Sequence, residues 1–170
     1  MSETRARIRR RIEREPGIHF RALTRGLELA TGQVQYHLGR LDDITEERVN
    51  GRTHYYPPGY DEWERTALAL LRRETARDIV AELYDADEAR PDAVADRVGV
   101  ARSTLEYHLD GLVAGGVVRK DRDGNRVTLS LVRPGETVAL LGTVEPSLAE
   151  RLTDRFERLV DSLLEPPERD

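Results

Sequence analysis

The sequence predicts a mostly α-helical protein with small β-hairpins (α+β), built as two tandem helical units and a C-terminal helical region. Three observations carry this prediction. A stretch near the N-terminus recurs 71 residues later, a hairpin signal follows each copy, and apolar residues recur at helical spacing in the tail. Residues 1–60 form the first unit, 61–74 a linking helix, 75–133 the second unit and 134–170 the tail.

The repeat aligns without a gap: residues 22–41 (ALTRGLELATGQVQYHLGRL) over 93–112 (AVADRVGVARSTLEYHLDGL). Ala22/Ala93, Ala30/Ala101, Tyr36/Tyr107, His37/His108, Leu38/Leu109 and Leu41/Leu112 are identical, and Leu23/Val94, Leu27/Val98, Leu29/Val100 and Val34/Leu105 stay apolar. The offset is too long for a solenoid repeat and fits two small domains.

Each element follows from local pattern. A helix is expected over 3–14, with Ile8 and Ile12 one turn apart. In the second copy the apolar positions 94, 98, 100, 105, 109 and 112 give two turns of helix, a break at Gly99 and a second helix. Arg102-Ser103-Thr104 offers N-cap chemistry to that second helix. Helix, short turn, helix is the helix-turn-helix order. The first copy carries Glu28 where the second has Gly99, with Gly26 two residues earlier. Asn50-Gly51 and Asp123-Gly124 then sit between β-prone runs at 46–56 and 117–131, as hairpin turns do. A helix over 75–84, carrying Ile79, Val80 and Leu83, opens the second unit.

Pro57-Pro58-Gly59 places a boundary near residue 60, and 61–73 (DEWERTALALLRR) reads as a helix with Trp63, Ala67, Leu70 and Leu71 on one side. Residues 136–141 read as a helical turn or two. The tail helix opens on a capping box, Ser147 as N-cap with Glu150 at N3, and Pro166-Pro167 ends it. Leu148, Leu152, Phe156, Leu159 and Leu163 recur at spacings of 4, 4, 3 and 4, close to a coiled-coil seam.

Helix, helix-turn-helix and two-stranded ribbon is the order of a winged helix. The stretches LLRRETARDIVAELY and VADRVGVARSTLEYHLDGLVAGGVV, with the wing RKDRDGNRV, resemble the tandem winged helix-turn-helix transcription regulators of haloarchaea, with ArsR-like modules. The resemblance covers roughly residues 3–132 and is stronger in the second unit. It implies a cytoplasmic, archaeal, halophilic regulator that binds double-stranded DNA sequence-specifically.

A winged helix places its second helix in the major groove and sets its wing on the backbone or minor groove. The candidate readers are Arg102, Ser103, Thr104, Tyr107 and His108 in the second unit, and Thr31, Gln33, Gln35 and Tyr36 in the first. Arg suits guanine and Gln suits adenine. The candidate wing contacts are Arg119, Lys120, Arg122, Asn125 and Arg126, then Arg48, Asn50, Arg52 and His54; these supply affinity and register. Against them stand Glu106 and Asp110, which lie on the same helix and repel phosphate. Solvated charge is the plain alternative for the wing arginines, and a shared fold constraint for the Tyr-His pairs. The arginines at 5, 7, 9, 10, 11 and 14 spread around their helix and serve equally as solvated charge or backbone contacts. The tail stripe either folds back on the second unit or packs on a second copy. A homodimer is favoured, because a regulator of two-fold sites needs one.

Charge distribution agrees with this division. Net charge over the 170 residues is -5, yet residues 1–60 carry 11 basic and 8 acidic groups and residues 91–133 carry 7 and 6. The excess acid lies in 61–90 and in the tail. Lys120 is the one lysine among the 27 basic residues. Zero cysteines exclude disulfides and thiolate metal sites. His19, His37, His54 and His108 form no pair at helical ligand spacing, so no metal or other cofactor is expected. No Walker loop, GxGxxG or HExxH is present, so an enzyme is not expected. Neither a secretory signal nor an apolar run of membrane length occurs, so no membrane partner is expected. A small-molecule effector would need a pocket between the units and the tail. The competing function is a winged-helix docking module for another protein, which the acidic segments favour.

Overall fold

In the computed structural model, residues 2–164 are described. The chain divides into two compact units between Glu74 and Thr75. Each is a winged helix-turn-helix, and the second continues into two C-terminal helices.

The first unit opens with α1 (Glu3–Arg14), where the Ser2 hydroxyl accepts from the Arg5 N–H at 3.2 Å. Its Ile8 and Ile12 are fully buried, as their helical spacing predicts. They pack with Ile18, Leu23, Val34, Leu41 and Tyr55 into one core. The helix-turn-helix is α2 (Phe20–Leu27) and α3 (Thr31–Leu38). Glu28 closes α2 in the left-handed region at φ 54°. The turn therefore has the same shape as at Gly99, φ 79°, despite a Cβ that costs roughly 1 kcal/mol there. Gly26 serves another purpose inside α2: a Cβ there would stand 3.0 Å from the Arg11 guanidinium.

The wing is β2 (Thr45–Val49) and β3 (Arg52–Tyr56), joined through Asn50 and Gly51 at φ 49° and 74°. Two left-handed central residues make a type I′ hairpin, the reason Asn-Gly is favoured there. A two-residue strand, β1 (Ile18–His19), adds to the other edge of β3 and gives the order β1-β3-β2. Its length leaves no alternation for a sequence reading to detect. Helix α4 (Glu62–Leu71) belongs to the same unit. Asp61 and Glu64 cap it reciprocally at 2.8 and 3.1 Å, and the Tyr56 hydroxyl donates to the Arg65 carbonyl at 2.6 Å.

The second unit repeats the plan. It comprises α5 (Glu74–Ala86), β4 (Glu88–Ala89), α6 (Pro91–Val98), α7 (Arg102–Ala114), β5 (Val118–Asp123) and β6 (Arg126–Leu131), with sheet order β4-β6-β5. Ile79, Val80, Leu83, Leu105, Leu109, Leu112 and Leu129 are buried. The hairpin turns on Gly124-Asn125, one residue beyond the expected Asp-Gly, because Asp123 pairs with Arg126. The expected side-chain cap at 102–104 is absent: α7 begins after Ala101 with no side-chain cap bond.

Two elements depart from expectation at the C-terminus. The segment at 136–141 belongs to an eleven-residue helix, α8 (Pro134–Val144). Helix α9 (Pro146–Leu164) begins one residue before the expected N-cap, since Pro146 lacks an N–H and its fixed φ suits the first helical position. Ser147 therefore lies inside the first turn, where its hydroxyl donates to the Glu145 carboxylate at 2.8 Å. The apolar stripe is divided. Leu152 is 2 % exposed in its own chain and Leu148 is half-buried, whereas Phe156, Leu159 and Leu163 are 55, 58 and 77 % exposed. Leu152 thus serves its own unit and offers nothing to a second copy. The Pro166-Pro167 stop lies outside the described residues.

Candidate nucleic-acid interface

In the first unit α3 exposes Thr31, Gln33, Gln35 and Tyr36, while Val34 anchors the opposite side of the helix in the core. Gln33 is partly committed, since its Oε1 accepts the Ala30 N–H at 3.3 Å and caps the helix. Arg40, which the sequence reading missed, lies 3.6 Å from the centroid of the Tyr36 ring and donates to the Tyr36 carbonyl at 2.9 Å. The cue was present: Arg40 follows Tyr36 by four residues, one helical turn. Tyr36 and His37 meet edge-on at 5.1 Å, and Tyr107 and His108 repeat the contact at 5.2 Å. In both units the tyrosine is exposed and the histidine half-buried.

The first wing exposes Arg48, Asn50 and Arg52. His54 departs from expectation. It is 4 % exposed, its Nδ1 donates to the Gly17 carbonyl at 2.7 Å, and it is out of reach of phosphate. His19, its cross-strand partner, accepts the Ala22 N–H at 3.3 Å and caps α2. Burial lowers the pKa of both rings. Arg52 and neighbouring arginines lower both further, while the Gly17 bond opposes the shift at His54. Folding therefore favours the neutral rings. Their contribution is complete above the unfolded value, about 6.5, and is lost as pH falls through the folded-state values. The urea midpoint is expected to drop between pH 7.5 and 5, and to drop less in His54→Gln; equal drops would contradict the assignment.

Most of the α1 arginines are engaged within the unit. Arg9 pairs with Asp43, Arg10 with Glu3 at 2.9 Å and Arg11 with Glu15 at 2.8 Å, and Arg7 donates to the Leu27 carbonyl at 3.2 Å.

An open cavity of about 710 Å³ separates α3 from the wing, with Arg21, Gln35, Glu46, Arg52 and Tyr55 among its walls. The equivalent place in the second unit is crossed by ion pairs. Arg102 pairs with Asp92 and, through Nε, with Glu106 at 3.0 Å; the second Glu106 oxygen accepts from Lys120 Nζ at 3.1 Å. Partial burial pushes the Glu106 carboxyl up, but the bonds from Lys120 and Arg102 outweigh it and hold it below its ordinary range.

Ser103, Thr104 and Tyr107 are exposed on α7, as are Arg119, Arg122, Asn125 and Arg126 on the wing. Strand pleating puts Lys120 and Arg122 on one face and Arg119, Asp121 and Asp123 on the other, where Asp123 pairs across the ladder with Arg126. Among the described residues, no group of three His, Asp or Glu side chains is placed to hold a metal. No described helix is long and apolar enough to cross a membrane.

Residues 2–68 match an N-terminal HTH domain family. The matched stretch takes in the helix-turn-helix and wing of the first unit. Over 130 residues the chain is 28% identical to an uncharacterized HTH-type transcriptional regulator of Methanocaldococcus jannaschii. That match spans 75% of this chain and 33% of the relative, so the chain covers about a third of the relative's length. Solved structures are also similar, two of them as follows. Reduced HlyU from Vibrio cholerae aligns over 49% of this chain and 88% of its own, at 21% identity and TM-score 0.43. The homodimeric winged helix-turn-helix DNA-binding domain Mb0332 from Mycobacterium bovis aligns over 64% and 88%, at 17% identity and TM-score 0.39. The HTH match ends at residue 68, so the likeness of the second unit to the first rests on the repeat itself.

Proposed function

We propose that the chain is a transcriptional regulator that binds double-stranded DNA sequence-specifically through its recognition helices and basic wings. One observation carries the reading. Two copies of a helix-turn-helix each expose a tyrosine on the second helix, beside a hairpin whose tip carries arginine. Base edges are read from such a helix, and phosphates are held by such a wing. The similarity to an HTH-type regulator supports it.

Fluorescence anisotropy over a salt series tests this, comparing the protein's own upstream duplex with random DNA. The expected result is affinity that falls steeply with salt while the upstream duplex stays tighter. Folded protein that binds neither duplex would sink the reading. A docking module for another protein would then take its place, which the carboxylates Asp92 and Glu106 on the reading face favour.

The regulator acts as a homodimer in this proposal, joined through Phe156, Leu159 and Leu163 on the exposed half of α9. Leu159→Glu is expected to convert a dimer to a monomer by light scattering while circular dichroism still shows a folded chain, because the side chain is 58 % exposed in its own chain. A native protein that is already monomeric contradicts the interface.

A further inference from the structure

The two reading faces have the same architecture and opposite chemistry. Counting 71 residues along the helices, Arg21 corresponds to Asp92, Thr31 to Arg102 and Gln35 to Glu106. Matching the hairpin turns, Glu46 corresponds to Lys120 and Arg48 to Arg122. The first unit thus has a neutral amide at the centre of its face and an open cleft beside it. The second has a carboxylate there, bonded at once to the recognition helix and to the wing.

We infer that Glu106 is an affinity-setting residue of the second unit, a latch that withholds Arg102 and Lys120 from DNA. The inference rests on the DNA-binding reading and adds to it that the two units contribute unequally. Three facts support it. Glu106 takes both cations with its two oxygens, one on each side of the cleft where a DNA backbone would enter. Asp92 holds Arg102 from α6, so the guanidinium has a carboxylate on either side. All four side chains are partly exposed, at 31–70 % of their side-chain surface, so the pairs are solvated and individually weak. A weak solvated pair is one that a dense row of phosphates, or salt, can exchange. The latch therefore taxes binding without forbidding it.

Glu106→Gln tests this with Asp110→Asn as control, since each removes one negative charge from α7. Asp110 is exposed one turn further along the helix. Glu106→Gln is expected to raise DNA affinity roughly tenfold at low salt. It should also steepen the log affinity against log salt slope by about 1, as Lys120 begins to displace counterions while Arg102 keeps its Asp92 partner. Asp110→Asn should raise affinity less than about threefold and leave the slope unchanged, a screened charge effect. A thermodynamic cycle adds a second readout: Lys120→Ala should cost little in the native background and several-fold more once Glu106 is Gln.

The latch is overturned if Glu106→Gln changes neither affinity nor slope, if Asp110→Asn matches it, or if Lys120→Ala costs the same in both backgrounds. In each case native binding to DNA leaves the regulator reading standing. If neither native protein nor Glu106→Gln binds any duplex, both readings fall together.

Discussion

Leu109→Ala is expected to lower the stability of the protein by about 2–5 kcal/mol. Leu109 is 1 % exposed and lies between Leu105 and Leu112 on the buried side of α7. Truncation removes apolar area from the core and leaves a cavity, because interiors packed this densely relax only in part. The exposed residues of α7 stay unchanged in identity but lose the platform that orients them. Urea denaturation followed by circular dichroism gives the stability directly. A loss below about 1 kcal/mol would mean that the helix is not anchored by this residue.

The complementary substitution acts on the other side of the helices. Tyr36→Ala and Tyr107→Ala together are expected to weaken specific DNA binding by about 30–1,000-fold while leaving the melting temperature nearly unchanged. The rings are 55 and 59 % exposed, so little burial is lost in folding. Surface substitutions of this kind usually stay within about ±0.5 kcal/mol. A rigid aromatic that becomes covered on binding is commonly worth on the order of 1–2 kcal/mol. Anisotropy with the specific duplex reads the loss. Unchanged affinity in the double variant would remove both tyrosines from the reading face, and lowered stability would show that they serve the fold.

The fold was legible because its signals are local. Ile8 and Ile12 lie one turn apart, Asn50-Gly51 suits a type I′ turn, and the repeat at 71 residues shows both units at once. What escaped was non-local. Strands β1 and β4 have two residues each and exist only because β3 and β6 offer an open edge. The division of the α9 stripe depends on which part of the helix meets its own unit, which spacing alone does not encode. Of the candidate interface, the exposed helix positions followed from the buried ones by geometry. Two partnerships did not: His54 points inward to the Gly17 carbonyl, and Glu106 meets Lys120, 14 residues away in sequence. Repulsion of phosphate by Glu106 could be read from its charge, whereas its hold on Arg102 and Lys120 required the third dimension.

Lys120 is the sole lysine of the chain and is paired with Leu129 in the middle of the second hairpin. A lysine-specific endopeptidase therefore has one peptide bond to cut, and that bond is inside a hydrogen-bonded ladder. Cleavage into 1–120 and 121–170 requires the ribbon to part first, so under slow digestion the rate measures how often it does. If a duplex clamps the wing, as proposed, it slows that single cut, and the appearance of two fragments becomes a clock for occupancy of one hairpin in an otherwise unlabelled molecule.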